Sequence, residues 1–243
     1  MNIIKLDAIN STNDYLKMLL QRQFVENFTV VTAENQTNGR GQMGSEWSVE
    51  EGKNLTFSVL VKDLLLEVNA IFHLNVAVAI SVIEALSFFE IKDLSIKWPN
   101  DILAEGKKIG GILIENSIKT DGEIFSIVGI GVNVNQKNFL NLPKASSLSA
   151  LKDKEFDTPE ILNAILEYLR RNIAMVMNKN TAHIWDKYHS VLYKKGIPMP
   201  FEDTKGGKFM GIIQNVNQDG KLRVLLEEDA VKAFDIKEVK MLY

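Results

Sequence analysis

The sequence predicts an α+β fold, a mixed sheet covered by helices with a small antiparallel barrel behind it, and three observations predict it. Apolar runs of strand length are interleaved with segments of helical periodicity through the first 195 residues. The pattern then breaks at Lys194-Lys195-Gly196-Ile197-Pro198, where the composition changes. Beyond that point short β-branched runs are separated by Lys205-Gly206-Gly207 and Asp219-Gly220, the punctuation of hairpins. With 243 residues, 46% of them hydrophobic, the chain can fill one large core and a small one. The expected units are residues 1–195 and 196–243.

Ser11 precedes Asn13-Asp14-Tyr15-Leu16, and Leu16, Leu19 and Leu20 recur at helical spacing, so a helix starts close to Ser11 with that serine as its N-cap. Phe28 to Ala33 and Leu55 to Val61 read as strands, and the glycine-rich stretch between them reads as a loop. The apolar run between Glu67 and Glu84 is interrupted by Asn69, His73, Asn75 and Ser81 and falls short of the ~18 residues of a membrane span. It predicts a buried helix over Val68 to Phe89. Leu94 to Trp98, Ile109 to Glu115 and Ile124 to Val134 follow as strands, the last two apolar enough to be central. Thr158-Pro159-Glu160 opens a helix with a capping hydroxyl and a first-turn proline, and Ile161, Leu162, Ile165, Leu166, Leu169, Ile173 and Met177 share its apolar face. A second helix carries Ile184, Trp185, Tyr188 and Leu192.

Composition removes several classes of function. Lys and Arg number 28 against 31 Asp and Glu, so the net charge is −3 and the basic excess of a general nucleic-acid binder is missing. The chain has no cysteine, which excludes disulfides, thiolate metal sites and a cysteine nucleophile, and fits a reducing compartment. Lys5, Asp7 and Asp14 break any leader-like apolar run, so a cytoplasmic protein without a membrane partner is expected. His73, His183 and His189 lack zinc spacing, and no dedicated metal site is expected. Arg170-Arg171, the charges from Lys152 to Glu155, and Lys194-Lys195 read as solvated surface.

Gly39-Arg40-Gly41-Gln42-Met43-Gly44 spells G-x-G-x-x-G, but it lies between two strands and opens no helix, so dinucleotide binding fails on context. A protein kinase fails too, for want of H-R-D and D-F-G. What remains is a glycine loop whose amides can approach an anion, with Arg40 to grip a phosphate or carboxylate and Trp47 to offer a flat face to a ring. Further on, Lys97-Trp98-Pro99-Asn100-Asp101 ends a strand. Lys108-Ile109-Gly110-Gly111-Ile112-Leu113-Ile114-Glu115 begins the next after a Glu105-Gly106 turn, and Gly129-Ile130-Gly131-Val132-Asn133 closes the series.

With Ser11-Thr12-Asn13 and Gln36 ahead of them, these motifs resemble those of the biotin–protein ligases, in the family's order and over the first two thirds of the chain. The resemblance implies a catalytic domain like that of class II aminoacyl-tRNA synthetases, followed by a small SH3-like barrel. It implies biotin and ATP, the latter with Mg2+, as substrates, biotinoyl-AMP as intermediate, and a lysine of a biotin carboxyl carrier protein or carboxylase subunit as acceptor. Ser11, Thr12, Asn13 and Gln36 would meet the biotin head group, with Gly41, Gln42, Gly110 and Gly111 beside it. Lys97 and Arg40 would supply positive charge where carboxylate and α-phosphate meet. Asp101 would orient or deprotonate the incoming amine. Trp47, Asn100, Asn133 and Arg40 would hold ATP.

Each of these residues also has a plain structural reading: Ser11 as a helix cap, Lys97 as a strand-edge lysine, Asn100-Asp101 as a turn, Gly110-Gly111 as a bulge, Asn133 as a strand-end turn. One departure from the family stands out. Many members carry further basic residues after the second loop glycine, whereas Gln42-Met43-Gly44-Ser45-Glu46 follow Gly41 here, leaving Arg40 as the loop's cation and implying a looser grip on the adenylate. Some members also repress transcription through an N-terminal helix-turn-helix; a helix starting at Ser11 leaves no room for one, so no DNA partner is expected. Members dimerise through a sheet edge, which makes a homodimer one of the implied states. The competing readings are a lipoate or octanoate ligase and a non-enzymatic biotin-binding module.

Overall fold

The computed structural model describes residues 2–47, 49–62, 71–118, 124–140 and 142–242. Its first sheet has seven strands: β1 (Ile3–Ile9), β2 (Val30–Gln36), β3 (Leu55–Val61), β4 (Leu94–Lys97), β5 (Asp101–Ala104), β6 (Lys107–Ile118) and β7 (Ile124–Val132). They lie in the order β1-β2-β3-β7-β6-β5-β4, with β1 parallel to β2 and every other pair antiparallel. The sheet is therefore mixed, and of the two strands expected to be central β7 is its middle strand and β6 lies beside it, with β3 on the other side. β1 was not read from the sequence; its residues are half-buried or exposed with none buried and no strict alternation, the weak pattern of an edge strand. Glu105 and Gly106 join β5 to β6 with φ of +50° and +74°, the doubly left-handed turn that matches strand twist.

Helix α1 (Thr12–Arg22) begins behind the expected Ser11 cap, whose Oγ accepts from the Asp14 amide at 3.4 Å. Helix α2 (Phe72–Phe88) is apolar all round and buried from Leu74 to Leu86 but for Glu84, as a helix caught between a sheet and other helices must be. Residues 68–70 of the expected helix lie outside the described residues. After the short α3 (Leu148–Lys152), which the sequence did not announce, α4 (Thr158–Met177) buries Ile161, Leu162, Ile165, Leu166, Leu169 and Ile173. Its cap is Asp157 and not Thr158: the Asp157 carboxylate takes the Glu160 amide at 2.8 Å, one residue earlier than expected. Helix α5 (Ala182–Ser190) buries Ile184, Trp185 and Tyr188.

The second sheet is antiparallel: β8 (Pro198–Asp203), β9 (Lys208–Val216), β10 (Leu222–Leu225), β11 (Val231–Phe234) and β12 (Val239–Met241), in the order β11-β10-β9-β8-β12. Phe201, Phe209 and Phe234 stack through it at 5.5 and 5.7 Å between ring centroids. The expected small antiparallel barrel is this five-stranded antiparallel sheet; among the described residues its outer strands β11 and β12 do not pair, so it is not closed. The buried apolar residues form one cluster running from the first sheet and its helices into this second one.

Candidate active site

A cleft of about 250 Å³ opens over β3, β6 and β7, walled by the start of α1, the glycine loop and the chain from Lys97 to Asp101. One end is neutral and hydrogen-bonding. The Thr12 amide and hydroxyl both donate to Gln36 Oε1, at 2.8 and 3.1 Å. The Ser58 hydroxyl lies 2.7 Å from Thr12 Oγ1 and 2.5 Å from Asn13 Oδ1, and the Asn13 amide donates to Glu115 Oε2 at 2.7 Å. Ser11, Thr12, Asn13 and Ser58 are buried, so these bonds are what keeps the polar groups tolerable there. They bring together residues from α1, β2, β3 and β6. Gly129 on β7 makes room: a Cβ there would lie 2.5 Å from Asn13 Oδ1.

The glycine loop closes on itself. Gly41 N–H donates to the Ser45 carbonyl at 2.7 Å and Trp47 N–H to the Gly39 carbonyl at 2.9 Å, with a single 3-10 turn at Gln42–Gly44. The Trp47 ring lies on the sheet where a Cβ on Gly131 would sit 2.4 Å from it and one on Gly111 3.4 Å from it. Among the described residues its buried indole N–H has no hydrogen-bond partner. Arg40 pairs with Asp14 and lies 3.8 Å from Glu115, which also holds Lys17 at 2.6 Å. Burial alone would raise the Glu115 pKa, but its bonds to Lys17 and Asn13 and the charges of Lys17 and Arg40 bring it below the ordinary value.

The other end is charged. Lys97 and Asp101 face each other across β4 and β5 and pair at 2.9 Å, and Lys108 reaches the second Asp101 oxygen at 2.6 Å. Lys108 also stands 5.8 Å from the Trp47 ring centroid. Burial works to raise the Asp101 pKa, yet the charges of Lys108 and Lys97, with the hydrogen bonds both donate, hold it below the usual carboxylate range. Among the described residues no group of three His, Cys, Asp or Glu side chains could hold a metal ion.

Ser11, Thr12, Asn13, Gln36, Arg40, Gly41, Gln42, Trp47, Lys97, Asn100, Asp101 and Gly111 all line this cleft, whereas Gly110 and Asn133 do not. A Cβ on Gly110 would lie 2.9 Å from the Gly131 carbonyl, so this glycine serves strand contact within the sheet. Asn133 is buried, and its amide donates to the Ser146 carbonyl at 3.0 Å. Asn100 also spends its amide on the protein, donating to the Ile112 carbonyl at 2.8 Å. Sequence reasoning gave no role to Ser58, Glu115 or Lys108. Ser58 carried a signal, a hydroxyl inside the otherwise apolar run Leu55 to Val61, and Lys108 and Glu115 were the charged ends of a quoted motif.

A cleft that is neutral and hydrogen-bonding at one end and cationic at the other suits a small acid with a neutral head and an anionic reacting end, the substrate of an acid-activating enzyme. The Biotin/lipoate A/B protein ligase family matches residues 6–135. The chain belongs to that family. The bifunctional ligase/repressor BirA of Bacillus spizizenii is 30% identical to it over 238 residues, which span 96% of this chain and 72% of that protein. A biotin–[acetyl-CoA-carboxylase] ligase of Mycobacterium tuberculosis is 30% identical over 196 residues, spanning 79% and 71%. A structure of the Aquifex aeolicus biotin protein ligase in complex with biotin and ATP matches with a TM-score of 0.83 and 28% identity, over 99% of this chain and 98% of that one.

Two outcomes follow from this geometry. Gly129→Ala should lower stability in urea denaturation by about 1–3 kcal/mol, because its methyl collides with Asn13; the Gly129→Ala/Asn13→Ala double variant should lose less than the sum of the two single ones, as contacting sites do. Since the Asp101 pKa is lower in the folded chain, its carboxylate adds stability above the unfolded value of about 3.9, and that stability is lost as pH falls through the depressed folded value. The gap in unfolding free energy between wild type and Asp101→Asn should stay constant from neutral pH down to about pH 5 and close below about pH 4.

Proposed function

We propose that this chain is an ATP-dependent biotin–protein ligase that makes biotinoyl-AMP and passes biotin to a lysine of a carboxylase's biotin carrier domain. The observation that carries the reading is the joining, in one cleft, of the Thr12–Gln36–Ser58–Asn13 network with the Lys97–Asp101–Lys108 cluster. The first offers uncharged donors and acceptors to a cyclic urea, and the second offers positive charge to a carboxylate meeting a phosphate. In the first step a carboxylate oxygen attacks the α-phosphorus of ATP and pyrophosphate leaves with the bridging oxygen. Lys97, Lys108 and Arg40 offset the negative charge that both partners bring. In the second step the carrier amine attacks the acyl carbon, AMP leaves, and the amine proton passes to solvent.

Of the two roles open to Asp101, its lowered pKa favours orientation over proton removal, because a carboxylate held by two ammonium groups is a weak base. It keeps the two lysines together and draws an incoming ammonium. Ser11, Thr12, Asn13, Gln36, Gly41, Gln42 and Gly111 are assigned to biotin. Trp47, whose indole N–H has no partner among the described residues, Asn100 and Arg40 are assigned to ATP. Mg2+ enters with the nucleotide. We divide the chain into a catalytic unit, 1–195, and a C-terminal unit, 196–243, at the connector where it leaves one sheet for the other. No described helix is long and apolar enough to cross a membrane. The cysteine-free composition supports a reducing compartment, the cytoplasm, as its setting.

The test is ATP–pyrophosphate exchange with biotin, lipoate or octanoate as the acid. Exchange is expected with biotin alone, and Lys97→Ala and Lys108→Ala should each lower its kcat by about 10²–10³-fold. Exchange with lipoate or octanoate instead would move the chain to the other branch of its family, and exchange with none would leave a biotin-binding module.

A further inference from the structure

The segment that carries Lys97 and Asp101 is bonded to the C-terminal sheet. Trp98, between them in sequence, is 3% exposed, and its indole N–H donates to the Gly220 carbonyl at 2.8 Å, across 122 residues of chain. Gly220 lies in the turn from β9 to β10, which is closed by Asn217: its N–H donates to the Lys221 carbonyl at 3.0 Å and its Oδ1 accepts from the Lys221 amide at 2.8 Å. Nothing but glycine fits there. The φ is +89°, and a Cβ would lie 2.4 Å from the ring of Phe72, the first residue of α2. The turn is wedged between α2 and Trp98.

The strand before Trp98 is held from the same side. Ile96 N–H donates to the Val191 carbonyl at 2.8 Å and its carbonyl accepts from Tyr193 N–H at 2.9 Å, so the connector after α5 lies along the outer edge of β4. Gly196 N–H then donates to the Ile213 carbonyl at 2.9 Å, and His189 Nε2 lies 2.8 Å from the Val216 carbonyl oxygen, tying connector and helix to β9. A buried indole needs an acceptor and finds one in most folds. Here the acceptor belongs to the other sheet, and the donor sits between the two residues whose ion pair closes the charged end of the cleft.

We infer that the C-terminal sheet sets the spacing of Lys97 and Asp101 through the bond from Trp98 to Gly220, which makes Trp98 a positioning residue for acid activation. The inference rests on the ligase reading, and its test has one arm that does not. Trp98→Phe keeps a ring and removes the donor. Asn217→Ala loosens the turn from the other side and leaves the core intact, so the question survives if Trp98→Phe does not fold. Phe201→Leu weakens the core of the C-terminal sheet without touching the bond.

In the ligand-free full-length protein, the Asp101 carboxyl carbon, followed by NMR, should titrate at higher pH in Trp98→Phe and Asn217→Ala than in wild type, and as wild type in Phe201→Leu. In biotin-dependent exchange, kcat should fall about tenfold in Trp98→Phe and less in Asn217→Ala, with the biotin KM within about twofold of wild type, and Phe201→Leu should keep its kcat. An unmoved titration in both turn variants, or an equal fall in kcat for Phe201→Leu at a temperature where all are folded, would overturn the inference. If wild type shows no exchange, the ligase reading fails and the titration alone decides the positioning.

Discussion

Two absent side chains on one face of β7 make the cleft. Gly129 and Gly131 are two apart in a strand, so both lack a side chain on the same face, and that face carries Asn13 and the Trp47 ring. On β6, Gly111 stands opposite Gly131 in register, which widens the bare strip by one strand. Side chains from outside the sheet can lie against its backbone only where the sheet offers no Cβ. The neutral network depends on this, because Asn13 reaches Ser58 and Glu115 only by lying over Gly129. The glycine loop depends on it as well, since Trp47 anchors the loop's far end to the strip. Remove the strip and α1 and the loop must lift together, although they have no sequence motif in common.

The charged end obeys a different constraint. A lone carboxylate buried as Asp101 is would take up a proton, and two lone ammonium groups beside each other would repel; the three together are tolerated where none is alone. The two ammonium groups share the Asp101 carboxylate, and Arg40 at the other side of the cleft pairs with Asp14 and lies near Glu115. An arriving anion can draw the Lys97 and Lys108 ammonium groups from the carboxylate they share, and the arginine from Asp14 and Glu115. The burial that makes these pairings necessary also strengthens them relative to water.

Much of this was legible in the sequence because it is local. The Ser11 cap, the Glu105-Gly106 turn, the apolar central strands and the loop between β2 and β3 are each decided by residues a few positions apart. What was not legible is long-range. Ser58 touches Asn13 across 45 residues and Lys17 touches Glu115 across 98, and no periodicity records such a meeting. Asn100 and Asn133 show the same limit: each carboxamide donates to a carbonyl 12 or 13 residues on, of Ile112 or Ser146, which the motifs that contain them do not announce. The antiparallel strands at the C-terminus were legible because their hairpin turns are local, whereas how far that sheet curls is decided by its two edges.

Lys97-Trp98-Pro99-Asn100-Asp101 draws these points together. As a string it looks like five residues for one task, but the fold divides them. Lys97, Asn100 and Asp101 line the cleft, Asn100 also clamping β6 at the Ile112 carbonyl, and Trp98 turns away to the C-terminal sheet. A motif of this kind is compact because one short segment faces two packing environments, the cleft and the C-terminal sheet. The core follows the same logic, for the apolar cluster that begins behind the first sheet continues into the second without a gap. The break in composition at Lys194 marks where the chain changes sheets; it does not mark where the packing ends.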